Sequence, residues 1–202
     1  MIKILWRVLL ITAGLLILGF LWIRVSWNQP MPEGVPGPEA EKMAKAILKS
    51  INAPAWDTTR WVSWTYRKDH EFIWDRQRNW VSVRWTDKRV LFDAGELTGL
   101  AWQENQPLKG NTSRQVVEQA WEIFCNDSYW LNAPAKIMDE GTVRELVTLG
   151  DGSKALKVTF SSGGVTPGDT YLWMVDDKNR PTAWRMWVKV LPIGGLEFSW
   201  DD

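Results

Sequence analysis

The chain has 202 residues, enough for one domain of roughly 150 to 170 residues and an extension. Its 24 Lys and Arg balance 24 Asp and Glu, but Lys3, Arg7 and Arg24 precede residue 30 without an acid, so the remainder is mildly acidic, which excludes the basic footprint of a nucleic-acid binder. The single Cys125 excludes an intrachain disulfide, and the single His70 confines imidazole chemistry to one ring.

Residues 4–23 read ILWRVLLITAGLLILGFLWI, about the 20 residues a helix needs to cross hydrocarbon, with Arg7 close enough to the end to snorkel. Trp6 at one end and Trp22 and Trp27 at the other stand where interfacial aromatics are expected. The basic residues before the apolar centre favour a cytoplasmic N-terminus, which predicts a single-pass inner-membrane anchor over 1–28 and a periplasmic or extracellular domain. A cleaved signal peptide is the competing reading, although no small-residue cleavage site follows the run. Gln29 to Pro38, with four prolines and two glycines, predicts a short stiff linker over 29–37.

From residue 38 the pattern predicts one extracytoplasmic domain, 38–202. Pro38 opens an amphipathic helix in which Met43, Ile47 and Ile51 recur at helical spacing, with Glu39 and Glu41 first and Lys45 and Lys49 later, as the helix dipole prefers. Trp56 to Asp93 predicts strand after strand: Val62, Trp64 and Tyr66, then Phe72 and Trp74, then Val81, Val83 and Trp85, then Val90 and Phe92, joined by KDH, RQRN and TDKR as hairpin links. Thr112 and Gln115 suggest a capping box for a second helix, striped by Val116, Val117, Ala120, Trp121 and Phe124. Strands resume at Val143 to Leu149 and Leu156 to Phe160. They close in a meander: Tyr171, Trp173 and Val175; Trp184, Met186, Val188 and Val190; Leu196, Phe198 and Trp200. The prediction is α+β: a large curled antiparallel sheet, an open or half barrel, with two amphipathic helices to cover it and one transmembrane helix.

That element order behind a membrane segment resembles the bacterial lipoprotein-carrier superfamily (LolA and LolB type), from Pro38 to Trp200. The resemblance implies an incomplete β-barrel whose helices form a lid over an apolar cavity, and it transfers no individual residue. The wording of residues 163–200 and of NDSYWLNAP at 126–134 is similar to a bacterial family of membrane-anchored proteins.

Sixteen tryptophans against 3 Tyr and 6 Phe make the indoles the central functional question. Trp64, Trp74, Trp85, Trp173, Trp184 and Trp200 fall on the apolar faces, as core or as the lining of a site for a lipid, acyl chain or other apolar ligand. Trp80, Trp187 and Arg185 fall on the more polar faces and are candidates for contact with an envelope partner, in which case the chain is a scaffold. An enzyme on a membrane or glycan substrate is a third reading, with Asp75, Asp93 and Glu197 as available carboxylates. No catalytic, cofactor or metal motif is present: His70 reads as an exposed polar residue, Cys125 as a small buried one, Asp176, Asp177 and Asn179 as a hairpin turn, and Gly163, Gly164 and Gly168 as a loop.

Overall fold

The computed structural model describes residues 2–200. The chain begins with α1 (Ile2–Trp27), α2 (Pro38–Ser50) and the short α3 (Ala53–Thr58). Six strands follow: β1 (Trp61–Tyr66), β2 (His70–Asp75), β3 (Trp80–Trp85), β4 (Lys88–Asp93), β5 (Thr98–Gln103) and β6 (Gln106–Pro107). After α4 (Gly110–Asn132) and a 3-10 turn at Ala133–Lys136 come β7 (Thr142–Thr148), β8 (Lys154–Phe160), β9 (Thr170–Val175), β10 (Pro181–Trp187) and β11 (Leu196–Ser199). The chain groups into two compact units, a central unit of residues 48–138 and a terminal unit formed by residues 1–47 with 139–202.

The α+β class with antiparallel meanders is as the alternation predicts, but the single large sheet is not found. There are two sheets, β1 to β6 and β7 to β11, each with sequential neighbours hydrogen-bonded. A period of two reports which face a side chain takes and says nothing of which strand lies alongside. Three boundaries also differ. Trp56 lies in α3, started by Pro54 in the first turn. The second helix starts at Gly110, so Thr112 lies inside it and no side chain caps it. Strand β10 stops at Trp187, leaving Val188 and Val190 in a loop.

Helix α1 has 26 residues, about 39 Å at 1.5 Å per residue, and is the one helix among the described residues long and apolar enough to cross a membrane. Leu10, Ile11, Leu15 and Leu16 are all exposed on it, so no protein covers these four side chains.

In the terminal unit both faces of the five-stranded sheet are partly covered. Helix α2 buries Ala40, Met43, Ala44 and Ile47 and is tied to β7 by Glu41, whose Oε1 accepts from Arg144 Nε at 2.8 Å. Across the other face runs the Pro/Gly-rich segment. Gln29 O accepts from Trp187 Nε1 at 2.8 Å on β10, Pro32 O accepts from Lys157 Nζ at 3.1 Å on β8, and Val35 bridges Leu146 on β7. What composition predicts as a free spacer is therefore a strap. Lys157, 7 % exposed beneath it, is paired with Glu145 at 2.9 Å, so the buried ammonium does not stand alone.

In the central unit, Phe72, Val81, Val83, Trp85, Val90, Phe92 and Ala101 turn one face of the meander toward Val116, Val117, Ala120 and Phe124 of α4. Strand β5 broke the expected pattern because Gly99 approaches β4 so closely that an added Cβ would lie 2.6 Å from the Phe92 Cβ. At the end of β2, Asp75 is buried and takes two bonds from Arg60, at 3.2 Å from Nε and 3.0 Å from Nη2, and one from the Arg78 amide at 3.3 Å. Those bonds, Arg60's first, hold the Asp75 carboxyl below its usual 3.8 despite burial, which works the other way. A carboxyl depressed in the folded state stabilises fully above its ordinary value and loses that contribution as pH falls through the lowered one. Thermal unfolding from pH 7 to pH 2 therefore separates wild type from Asp75→Asn: the variant melts lower at neutral pH, and its decline below about pH 4 is shallower. Parallel curves would deny the pair its role.

Candidate functional site

The six indoles expected on apolar faces divide three and three. In the terminal unit, Trp173 and Trp184 are fully buried. Trp184 stacks on Tyr171 at 5.2 Å and lies 5.0 Å from Trp173, and Trp200 meets both edge-on at 5.4 and 5.3 Å. Rings at these spacings leave no room for a ligand between them, so this group is core.

The central unit is different. Helix α4 lies mainly over β4 and β5, and Val62, Trp64 and Tyr66 on the edge strand β1, with Trp74 on β2, are only partly covered and remain half-buried. Trp85, nearer the middle of the sheet, is closed over at 5 % exposure. Trp64 stacks on Phe72 at 4.4 Å, and Phe124 of α4 touches both indoles, at 6.2 Å from Trp64 and 5.2 Å from Trp74. Arg76 lies over Trp56 at 4.3 Å and over Trp74 at 5.3 Å, and its Nη1 donates to the carbonyls of Trp56 and Thr59. Burial lowers the Arg76 pKa, opposed by Asp57.

Three donors in this layer have no acceptor: Trp64 Nε1, Trp74 Nε1 and Arg76 Nε. A buried donor left unmade costs about 1–3 kcal/mol; Trp173 Nε1 in the closed terminal cluster is in the same state, so what sets Trp64, Trp74 and Arg76 apart is their half-open setting. Sequence reasoning identified Trp64 and Trp74 from their alternation. It missed Arg76, which sits in a hairpin link, and Phe124, whose helix spacing marked it only as core.

The partner-contact candidates also part company. Trp80 is 38 % exposed. Trp187 is half-buried and bonded to Gln29, and Arg185 pairs with Glu197 at 2.7 Å. Trp80 belongs instead to an open outer face of the six-stranded sheet, with Trp61, Ile73, Leu91 and Leu100 also exposed.

His70 is not simply a surface residue. Its Nδ1 lies 2.6 Å from Oδ2 of the buried Asp127 on α4, and Asn126 Nδ2 donates to Oδ1 at 2.8 Å. The pair orients the imidazole and pins β2 to α4. No hydroxyl or thiol among the described residues bonds the ring, so the arrangement is a clamp without a nucleophile. Burial pushes the Cys125 thiol up to about 12, which removes it as a nucleophile at neutral pH. Among the described residues no three His, Cys, Asp or Glu side chains gather as a metal site. Asp176 Oδ1 accepts from the amides of Lys178 and Arg180 at 2.8 Å each, which builds the β9 to β10 turn.

Compared with known proteins, the chain matches no family model and no curated protein.

Proposed function

We propose that the chain is a membrane-tethered extracytoplasmic binding protein for a lipid, acyl chain or other apolar group bearing a hydrogen-bond acceptor. Its binding layer is the inner face of β1 and β2 in the central unit. Helix α1 is the inner-membrane anchor, with the N-terminus cytoplasmic and the domain periplasmic or extracellular. The observation that carries it is the set of unsatisfied donors on Trp64, Trp74 and Arg76 in a half-open aromatic layer. A carboxylate or phosphodiester head would accept from them while its chain lies along Trp64, Phe72 and Phe124.

The test is organic extraction of the purified chain, followed by titration with fatty acids and phospholipids under tryptophan fluorescence. Saturable quenching is expected, and Trp74→Phe, which keeps a ring but removes the donor, weakens it by about tenfold, the worth of one bond to a charged group. No extracted lipid together with no saturable quenching would sink the proposal. The exposed outer face at Trp61, Trp80, Ile73 and Leu100 favours a second reading, a scaffold that docks an envelope protein. A photocrosslinker at position 80 then yields protein adducts, whereas one at position 74 yields lipid.

A further inference from the structure

We infer that the loop of residues 188–193, Val-Lys-Val-Leu-Pro-Ile, is a membrane-contact element that rests in the bilayer interface beside the exit of α1. The inference rests on the proposed anchoring by α1 and adds what anchoring alone does not require: a fixed docking of the terminal unit on the lipid surface.

The Asn28 amide still bonds to the Arg24 carbonyl at 3.2 Å, so helical hydrogen bonding runs to the end of the hydrophobic segment. The very next groups belong to the domain. Asn28 Oδ1 accepts from the Gly194 amide at 2.8 Å, the Gln29 amide donates to the Gly194 carbonyl at 3.0 Å, and the Gln29 carbonyl accepts from Trp187 Nε1 at 2.8 Å. The close approach is built into the sequence. An added Cβ at Gly194 would lie 2.9 Å from Trp187 Nε1, and one at Gly195, whose φ is +80°, would lie 2.5 Å from the Gln29 Cβ. The strap through Pro32 and Val35 then fastens the next stretch across the sheet. No free residues separate the helix end from the terminal unit, so these bonds hold that unit close to the point where α1 leaves the membrane.

The loop that meets this helix end is apolar and only partly covered. Val190 is 68 % exposed, Lys189 and Pro192 are also exposed, and Val188, Leu191 and Ile193 are half-buried. Lys189 is its single charged residue, and its amide is fixed by Asp169 Oδ1 at 2.9 Å. Apolar side chains around one lysine, joined through Gly194 to the residues that directly follow an apolar helix ending in Trp22, Arg24 and Trp27, match the interface between acyl chains and phosphate headgroups. A lipid surface gives Val190 and Leu191 the cover the protein does not, and offers phosphate to Lys189 and Arg24.

The experiment places single cysteines at Val190 and, as a control, at Val165, which is 43 % exposed in the separate loop after β8. Both are made in the full-length chain with Cys125→Ala, labelled with an environment-sensitive fluorophore, and reconstituted into phosphatidylcholine and phosphatidylglycerol vesicles. Spin-labelled lipid should quench the label at position 190 at least threefold more than the label at position 165. Equal quenching in a chain that floats with the vesicles would overturn the loop contact and leave the anchor standing. A chain that does not float with the vesicles would overturn both.

Discussion

Trp184→Ala lowers the stability of the terminal unit by about 4 kcal/mol, within the range for deleting a buried tryptophan, and lowers its melting temperature by roughly 20 °C. The size follows from geometry. Trp184 is fully buried and is the hub of its cluster, with Tyr171, Trp173 and Trp200 all within 5.3 Å, ring centre to ring centre. Three of these rings stand on two strands, β9 and β10, whose backbones are locked in register with Trp184 opposite Trp173, so the walls cannot collapse into the space left behind. Trp184→Phe keeps one ring and costs about half as much, by the scaling of loss with cavity size. Trp80→Ala, where 38 % of the residue is exposed, costs less, about 1–2 kcal/mol. Near-ultraviolet circular dichroism during thermal unfolding reads all three. A loss below about 1 kcal/mol for Trp184→Ala would mean that the cluster is loose and has room for a guest.

That contrast shows what the sequence could and could not reveal. Alternation located the strands from β1 to β4, where one face is more buried than the other, and in the terminal unit it located β7 to β11 by their runs of β-branched and aromatic residues between turn signals, although β8 and β9 are buried on both faces. It was silent at β5, where Gly99 replaces a side chain that the neighbouring strand leaves no room for. The end of α4 was hidden for another reason. Asn126, Asp127 and Ser128 are poor helix formers, and what holds them helical is tertiary: Asp127 meets His70, which lies 57 residues earlier in the chain. Composition misread the segment after α1 by the same logic. Prolines and glycines forbid helix and ladder but do not forbid attachment, and Lys157, Trp187 and Leu146 supply the attachments. The indoles illustrate the limit most plainly. Trp64 and Trp173 are equivalent in pattern, yet one stands near a sheet edge that α4 leaves half-open and the other among rings that fill its surroundings. Only the position of the covering elements separates a candidate lining from a core.

Phe124→Ala is the counterpart in the central unit, and it probes the proposed binding layer from its roof. Phe124 is 5 % exposed and meets five aromatic rings, with Trp74 nearest at 5.2 Å and Trp64, Phe72, Phe92 and Trp121 between 6.0 and 6.4 Å. Its removal costs about 4 kcal/mol, as for other buried phenylalanines, and leaves an apolar space bounded by those rings. A space of that character stays dry and accepts a benzene-sized solute. Benzene at a hundred times its dissociation constant therefore restores about 2.7 kcal/mol of the loss, an effect absent from wild type. The same substitution removes the ring that α4 lays over Trp64 and Trp74, so fatty acids reach those indoles more readily and quench them at lower concentration than in wild type. Calorimetry with and without benzene tests the first half, and the quenching titration tests the second. Rescue without easier quenching would place the packing correctly but put the lipid elsewhere, because the roof would then have no bearing on the guest.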